Sequence, residues 1–238
     1  MIGSDPHRIP PPLRGRGDAD ARSAAPSPAK RGRAGTGVTP LAQLAAEIRA
    51  CRVCAEFLPL GPRPVFRASP TARLLIVSQA PGTKVHETGL SFNDPSGDRL
   101  RGWLNMDRDV FYDESRVAIV PMGLCYPGRL PNGGDAPPRR ECAPLWHARL
   151  LALMPEIRLT LLVGIYALTH VLGRGAMTEQ VRDFRTHLPR YFPLPHPSWR
   201  TTAWERRNPW FGEEVVPALR GTVGRALDPR FTPLTPQG

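Results

Sequence analysis

Residues 73–100 read RLLIVSQAPGTKVHETGLSFNDPSGDRL. The first five have the length and unbroken apolar character of a strand buried on both faces. The stretch after them, rich in Gly, Pro, Ser, Thr and mixed charge, then belongs at that strand's carboxyl end. Three further runs have the same character: VAIVPM (117–122), LTLLV (159–163) and a weaker YFPL (191–194). Helical patterns separate them, including GDRLRGWLNM (97–106), ECAPLWHARLLALM (141–154) and YALTHVLG (166–173). Strands alternating with helices predict an α/β fold around a mostly parallel four-stranded sheet. In such sheets ligands collect outside the carboxyl ends of the strands, so the segments to search are SQAPG, GLCYPG, GIYA and HPSW.

Outward from this centre, Thr39 and Pro40 read as an N-cap and first helical residue opening LAQLAAEIRAC, a helix that runs into Cys51. Residues 1–38 are rich in Pro, Arg, Gly, Ser and Ala and hold almost no large apolar side chains, which predicts a disordered basic tail. That tail either adds attraction to nucleic acid or only solvates the chain. A second tail is expected at 227–238, leaving one domain over 39–226.

The chain has 238 residues, a formal charge of +11 and almost no lysine, with Lys30 and Lys84 its only two. Such a balance favours a polyanionic partner, nucleic acid or an anionic membrane surface. No run approaches the roughly 18 apolar residues of a membrane span, and the N-terminus lacks the apolar core of a secretory signal. A cytoplasmic protein is expected. In that reducing compartment the four cysteines are metal ligands, catalytic groups or core residues rather than disulfides.

Cys51 and Cys54 form a CxxC pair, and Cys125 and Cys142 lie 17 positions apart beyond the second strand. A CxxC lets two thiolates reach one site from a single turn, and a second pair brought in by the fold completes four ligands. Spacing alone leaves zinc and an iron–sulfur cluster open. The long gap between the pairs is unlike a compact zinc finger and suits something that ties distant parts of a domain together.

Together these motifs resemble the uracil-DNA glycosylase superfamily, in particular its iron–sulfur branch, family 4. The first motif of that branch, GEAPGxxEDxxGxPFVGxAGxLL, matches SQAPGTKVHETGLSFNDPSGDRL at equal length, with Pro81, Gly82, Gly89, Phe92, Gly97 and Leu100 in register. The four cysteines follow the branch's order and spacing, and His196-Pro197-Ser198 matches its C-terminal HPS motif. The resemblance covers about residues 41–220. It implies a three-layer α/β/α fold, a 4Fe-4S cluster on Cys51, Cys54, Cys125 and Cys142, and a monomeric, monofunctional hydrolase acting on the N-glycosyl bond of uracil or another deaminated base in DNA.

The resemblance also implies roles. His196 would donate to the carbonyl oxygen of the leaving pyrimidine, and Phe92 would stack the flipped base. Ala80 and Gly82 would line the base pocket. Gln79 would hold a water beneath the sugar, with Glu87 and His86 the nearby groups able to accept a proton, unless both are plain loop residues. Asn93 would bond the base edge or simply form an Asn-Asp-Pro turn. Ser198, Trp199 and Arg200 would contact DNA, Trp199 as a minor-groove wedge, whereas Trp204 and Trp210 read as core. The departures are specific. Ala80 stands where relatives carry a water-assisting Asp or Asn, Val85 and His86 replace an acidic pair, and Pro121 replaces a base-reading Asn. They motivate an alternative, a DNA-binding damage sensor with lost hydrolysis, or one that captures the abasic sugar covalently through a residue such as His86.

Overall fold

The computed structural model describes residues 38–131 and 133–230. The expected tail at 1–38 lies outside the described residues except for Val38, and that at 227–238 except for 227–230, where Leu227 is buried at the end of the last helix, so the domain runs at least one residue beyond the expected boundary.

Four strands form one sheet: β1 (Leu74–Val77), β2 (Val117–Ile119), β3 (Leu159–Val163) and β4 (Tyr191–Leu194). Their order is β2-β1-β3-β4 and every pairing is parallel, Leu74 opposite both Val117 and Leu159, and Thr160 opposite Tyr191. The VAIVPM run is regular strand for only its first three residues, although Val120 N–H still donates to Ile76 O at 2.9 Å and Met122 N–H to Ser78 O at 2.8 Å on either side of Pro121. Pro193 is accommodated because β4 is an edge strand.

Alternation along each strand sends side chains to two cores. Leu74, Ile76, Val117, Ile119, Leu161 and Val163 face one side, and Leu75, Val77, Ala118, Val120 and Leu162 the other. The first side is covered by α3 (Pro95–Leu104) and α9 (Val216–Leu227), through Leu100, Trp103, Leu219 and Val223. The second is covered by α1 (Pro40–Arg49), α5 (Cys142–Ala152) and α6 (Ile165–Leu172), through Leu44, Ile48, Trp146, Leu150 and Leu168. The result is a three-layer α/β/α fold. Thr39 caps α1 as the sequence predicts, its hydroxyl accepting from the Ala42 N–H at 3.2 Å. Trp204 and Trp210 pack against the first core, as expected.

The polar stretch after β1 is not only turn. It holds a helix, α2 (Thr83–Thr88), with Gly82 at its N-cap and Gly89 at φ +70° closing it. His86 and Glu87 therefore sit on a helix rather than a loop. The connection from β1 runs over one face of the sheet and the one from β3 over the other, which opens a crevice between the carboxyl ends of these neighbouring strands.

Candidate functional site

The carboxyl ends of the strands deliver the candidate residues to that crevice. Beyond β1 and β2 the ladder continues, with Met122 N–H donating to Ser78 O at 2.8 Å and Gly123 N–H to Gln79 O at 3.0 Å. Gln79 is thereby fixed at the rim, and its Nε2 reaches Ala136 O at 3.4 Å. Pro121, which stands where relatives have an Asn, presents its carbonyl to the buried His147, whose Nε2–H donates to it at 3.0 Å.

His196 follows β4. Its carbonyl accepts from the Ser198 N–H at 2.8 Å and from the Thr201 hydroxyl, which fixes the HPS turn. Gly164, at φ +85° after β3, is the surface against which the imidazole rests, since a Cβ there would lie 3.2 Å from His196 Cβ. Burial pulls the His196 pKa below its usual value, and the charges of Asp94 and Asp135 only partly oppose it. The ring is thus a neutral donor or acceptor near pH 7.

Among the described residues, Phe92 is one of two non-glycine residues with positive φ, at +55°. A left-handed aromatic costs about 1–2 kcal/mol and persists only where its neighbours hold it. Here the restraints are visible. Arg101, buried on α3, donates to Phe92 O at 3.2 Å while its other nitrogen is held by Asp98 at 2.5 Å. The Tyr112 hydroxyl donates to the preceding carbonyl, Ser91 O, at 2.8 Å. The Phe92 ring is 8% exposed and meets Phe111 in a T at 6.0 Å. Asp94 then caps α3, accepting from the Gly97 N–H at 2.9 Å.

Other candidates are more loosely tied to this group. Asn93 Oδ1 is engaged by Arg108 at 2.8 Å, which favours a structural use of that amide. Glu87 is exposed, and what anchors it is its backbone carbonyl, which accepts from Arg63 at 2.9 Å. His86 is half-buried, its ring 6.0 Å from that of Tyr126 and its Nδ1 buried without a partner. Trp199 is 78% exposed, and Arg200 beside it places its guanidinium 5.5 Å from the indole and against Gly134.

Two residues that sequence reasoning passed over connect the pieces. Arg99, inside the first motif, donates to Thr202 Oγ1 at 2.8 Å and to Ser198 O at 3.4 Å, and pairs with Glu205 at 2.6 Å. It bolts α3 to the turn after β4. Asp135 sits on a short antiparallel hairpin, 128–136, and its carboxylate lies 3.6 Å from where a Cβ on Gly82 would be. The Gly-Gly-Asp turn at 133–135 was its only trace in the sequence.

All four cysteines line one cavity of about 20 Å³, with Leu58, Pro62, Pro64, Leu124 and Trp146 as its apolar walls. Burial pushes the Cys125 thiol up to about 11 and the Cys142 thiol up to about 12, and raises Cys54 as well. The Leu124 N–H reaches Cys142 Sγ at 3.3 Å. Arg139 pairs with Glu141 at 2.8 Å and lies 4.1 Å from the centre of the Phe57 ring, closing the rim. Among the described residues, no three His, Cys, Asp or Glu side chains close around a single ion. The four thiols share the lining of that one cavity.

A larger groove, about 690 Å³, lies between α3 and α9 and includes Arg116, Arg220 and Asp228. Arg116 directly precedes β2, so this groove opens at the amino ends of the strands, away from the crevice where parallel sheets bind ligands. None of the candidate residues lines it. No helix among the described residues is long and apolar enough to cross a membrane.

A family model described as the uracil DNA glycosylase superfamily matches residues 66–220, well over half of the chain, from just before β1 into α9.

Proposed function

The chain belongs to the uracil DNA glycosylase superfamily, and we propose that it flips uracil, or another deaminated base, out of DNA and hydrolyses its bond to the sugar. The observation that supports this reading is a half-buried, neutral His196 after β4 within reach of the charge of Asp94, which directly follows the strained Phe92 segment beyond β1. Glycosidic cleavage leaves charge on the departing base. A fixed imidazole N–H in a water-poor crevice stabilises that charge without reorganising, and removing such a donor typically costs about 10²–10³ in rate. Phe92 supplies the stacking face, Gln79 and the turn at Ala80 and Gly82 form the floor, and Trp199 with Arg200 enters the groove and holds the phosphates. The protein acts as a monomer on its DNA.

We assign the chain to the iron–sulfur branch, family 4, on its cysteines. Four thiols from two distant pairs of the chain line one small apolar cavity, which supports a shared site tying those parts together. Cys51, Cys54, Cys125 and Cys142 would hold a 4Fe-4S cluster, and its contribution there is a cross-link between the end of α1, the segment after β2 and the start of α5.

The test is single-turnover base release from duplex and single-stranded oligonucleotides carrying uracil, hypoxanthine or xanthine, scored as alkali-labile sites. Wild-type protein should release at least one of these bases, and His196→Ala should lose orders of magnitude while unfolding at an unchanged temperature. A near wild-type rate in that variant sinks the role of His196. Ala80, which offers no carboxylate to water, favours a second reading, a damage sensor. That reading predicts tight binding with no abasic product, or an SDS-resistant adduct through His86.

A further inference from the structure

Ala80 leaves hydrolysis without a group to activate water at its usual place in the first motif, and His86 and Glu87 stand on α2 without a structural tie to His196 among the described contacts. The hairpin 128–136 reaches the same place from another direction. It is closed by Leu130 N–H to Gly134 O at 2.9 Å and Ala136 N–H to Gly128 O at 2.8 Å, with Arg129 opposite Asp135. Three contacts dock it on the crevice. Gln79 Nε2 donates to Ala136 O. Gly134 lies under the Arg200 guanidinium, 3.0 Å from Nη1 to the point a Cβ would occupy. Asp135 Oδ2 rests over the Pro81–Gly82 turn, 3.6 Å from the corresponding point on Gly82. The side chain of Asp135, though exposed, therefore lies beside the first motif, and its charge acts on His196.

We propose that Asp135 is the carboxylate of the hydrolytic step, supplied by the hairpin in place of the residue the first motif lacks. This rests on the glycosylase reading. In the step, the bond between C1′ and the base nitrogen breaks and its electron pair leaves with the base, whose developing charge meets the His196 N–H. The oxygen of water bonds to C1′, and Asp135 accepts the proton that water loses. The base is protonated from solvent, and Asp135 returns its proton to solvent. Before water adds, the same carboxylate faces the positive charge that gathers on the sugar.

The experiment is single-turnover release of uracil from a uracil-containing oligonucleotide by wild type, Asp135→Asn and Asp135→Glu, across the acid-to-neutral pH range. Affinity for the same oligonucleotide and the unfolding temperature are measured in parallel. Asp135→Asn should release base at least about 100-fold more slowly, with affinity and unfolding temperature unchanged. It should also lose the rise of rate with pH that marks ionisation of a general base. Asp135→Glu should recover part of both. An active wild type with Asp135→Asn within threefold of it overturns the role of Asp135 and leaves the glycosylase reading standing. So does a slow variant that keeps the wild-type pH profile, since a merely structural residue would behave in that way. A wild type that releases none of the deaminated bases overturns the glycosylase reading, and the role of Asp135 falls with it.

Discussion

Gly97 lies so close to Phe92 that a Cβ on it would stand 1.7 Å from the Phe92 carbonyl oxygen. The first turn of α3 and the left-handed Phe92 are thus one packed unit, and only a residue without a side chain fits between them. Gly97→Ala forces the backbone of one or the other to move. Overpacking of this kind costs about 1–3 kcal/mol, and here the movement displaces the aromatic proposed to stack the base. Chemical denaturation should show the stability loss, and base release should fall further than the stability change alone explains.

Three histidines, His147, His170 and His196, have pKa values held below the ordinary 6.5, in each case chiefly by burial. The unfolded chain takes up protons near 6.5 while the native one resists until lower pH. Just below 6.5 the unfolded state binds more protons, so stability rises with pH across that window. The contribution is fully present above about 6.5 and lost as pH falls. Urea midpoints should accordingly be higher at about pH 7.5 than at about pH 5.5. His147→Gln should flatten part of that slope, since His147 is the most buried of the three where it donates to Pro121 O.

Arg200 and Trp199 extend into solvent beside the crevice. Replacing Arg200 by Ala should weaken DNA binding for every sequence and reduce the slope of log affinity against log salt by about 1, the signature of one lost phosphate contact. Trp199→Ala should lower the rate of base release from duplex more than from single strands, because a wedge is needed only where a base must leave a stack.

Arg99 reaches three partners on the far side of the site, Ser198 O, Thr202 and Glu205. Arg99→Ala strands the Glu205 carboxylate and frees the turn after β4, at about 1–2 kcal/mol. Arg99→Lys keeps the charge but not the fork, and should restore stability only partly. Thermal unfolding of the two variants separates these outcomes.

Protein purified without oxygen should be brown and carry iron and acid-labile sulfide in equal amounts. Cys142→Ser removes one of the four proposed ligands and should abolish the colour and lower the unfolding temperature. Zinc without iron in the wild type would refute the cluster.

Much of the frame was legible because burial on both faces leaves a plain mark, an unbroken apolar run such as LLIV or LTLLV between turn residues. The cysteines were legible as a set, and the structure gathers them about one cavity. What escaped notice lacked such a mark. α2 buries only Val85, so TKVHET carries no helical period, and its ends are set by Gly82 and Gly89. Arg101 reads as a surface charge on α3, yet it is buried because the carbonyl of a strained Phe92 needs a donor. Asp135 is 53 positions from Gly82 and 61 from His196, and only the folded hairpin brings it near them.

The hairpin that carries Asp135 is closed by backbone bonds, Leu130 N–H to Gly134 O and Ala136 N–H to Gly128 O, with Gly128, Gly133 and Gly134 at positive φ. Loops of that kind drift and are exchanged more readily than the sheet beneath them. The four strands then serve as a chassis, with reactivity carried on an interchangeable part. Grafting this short segment between relatives that share the frame would move the carboxylate proposed to activate water, without touching the proposed base pocket.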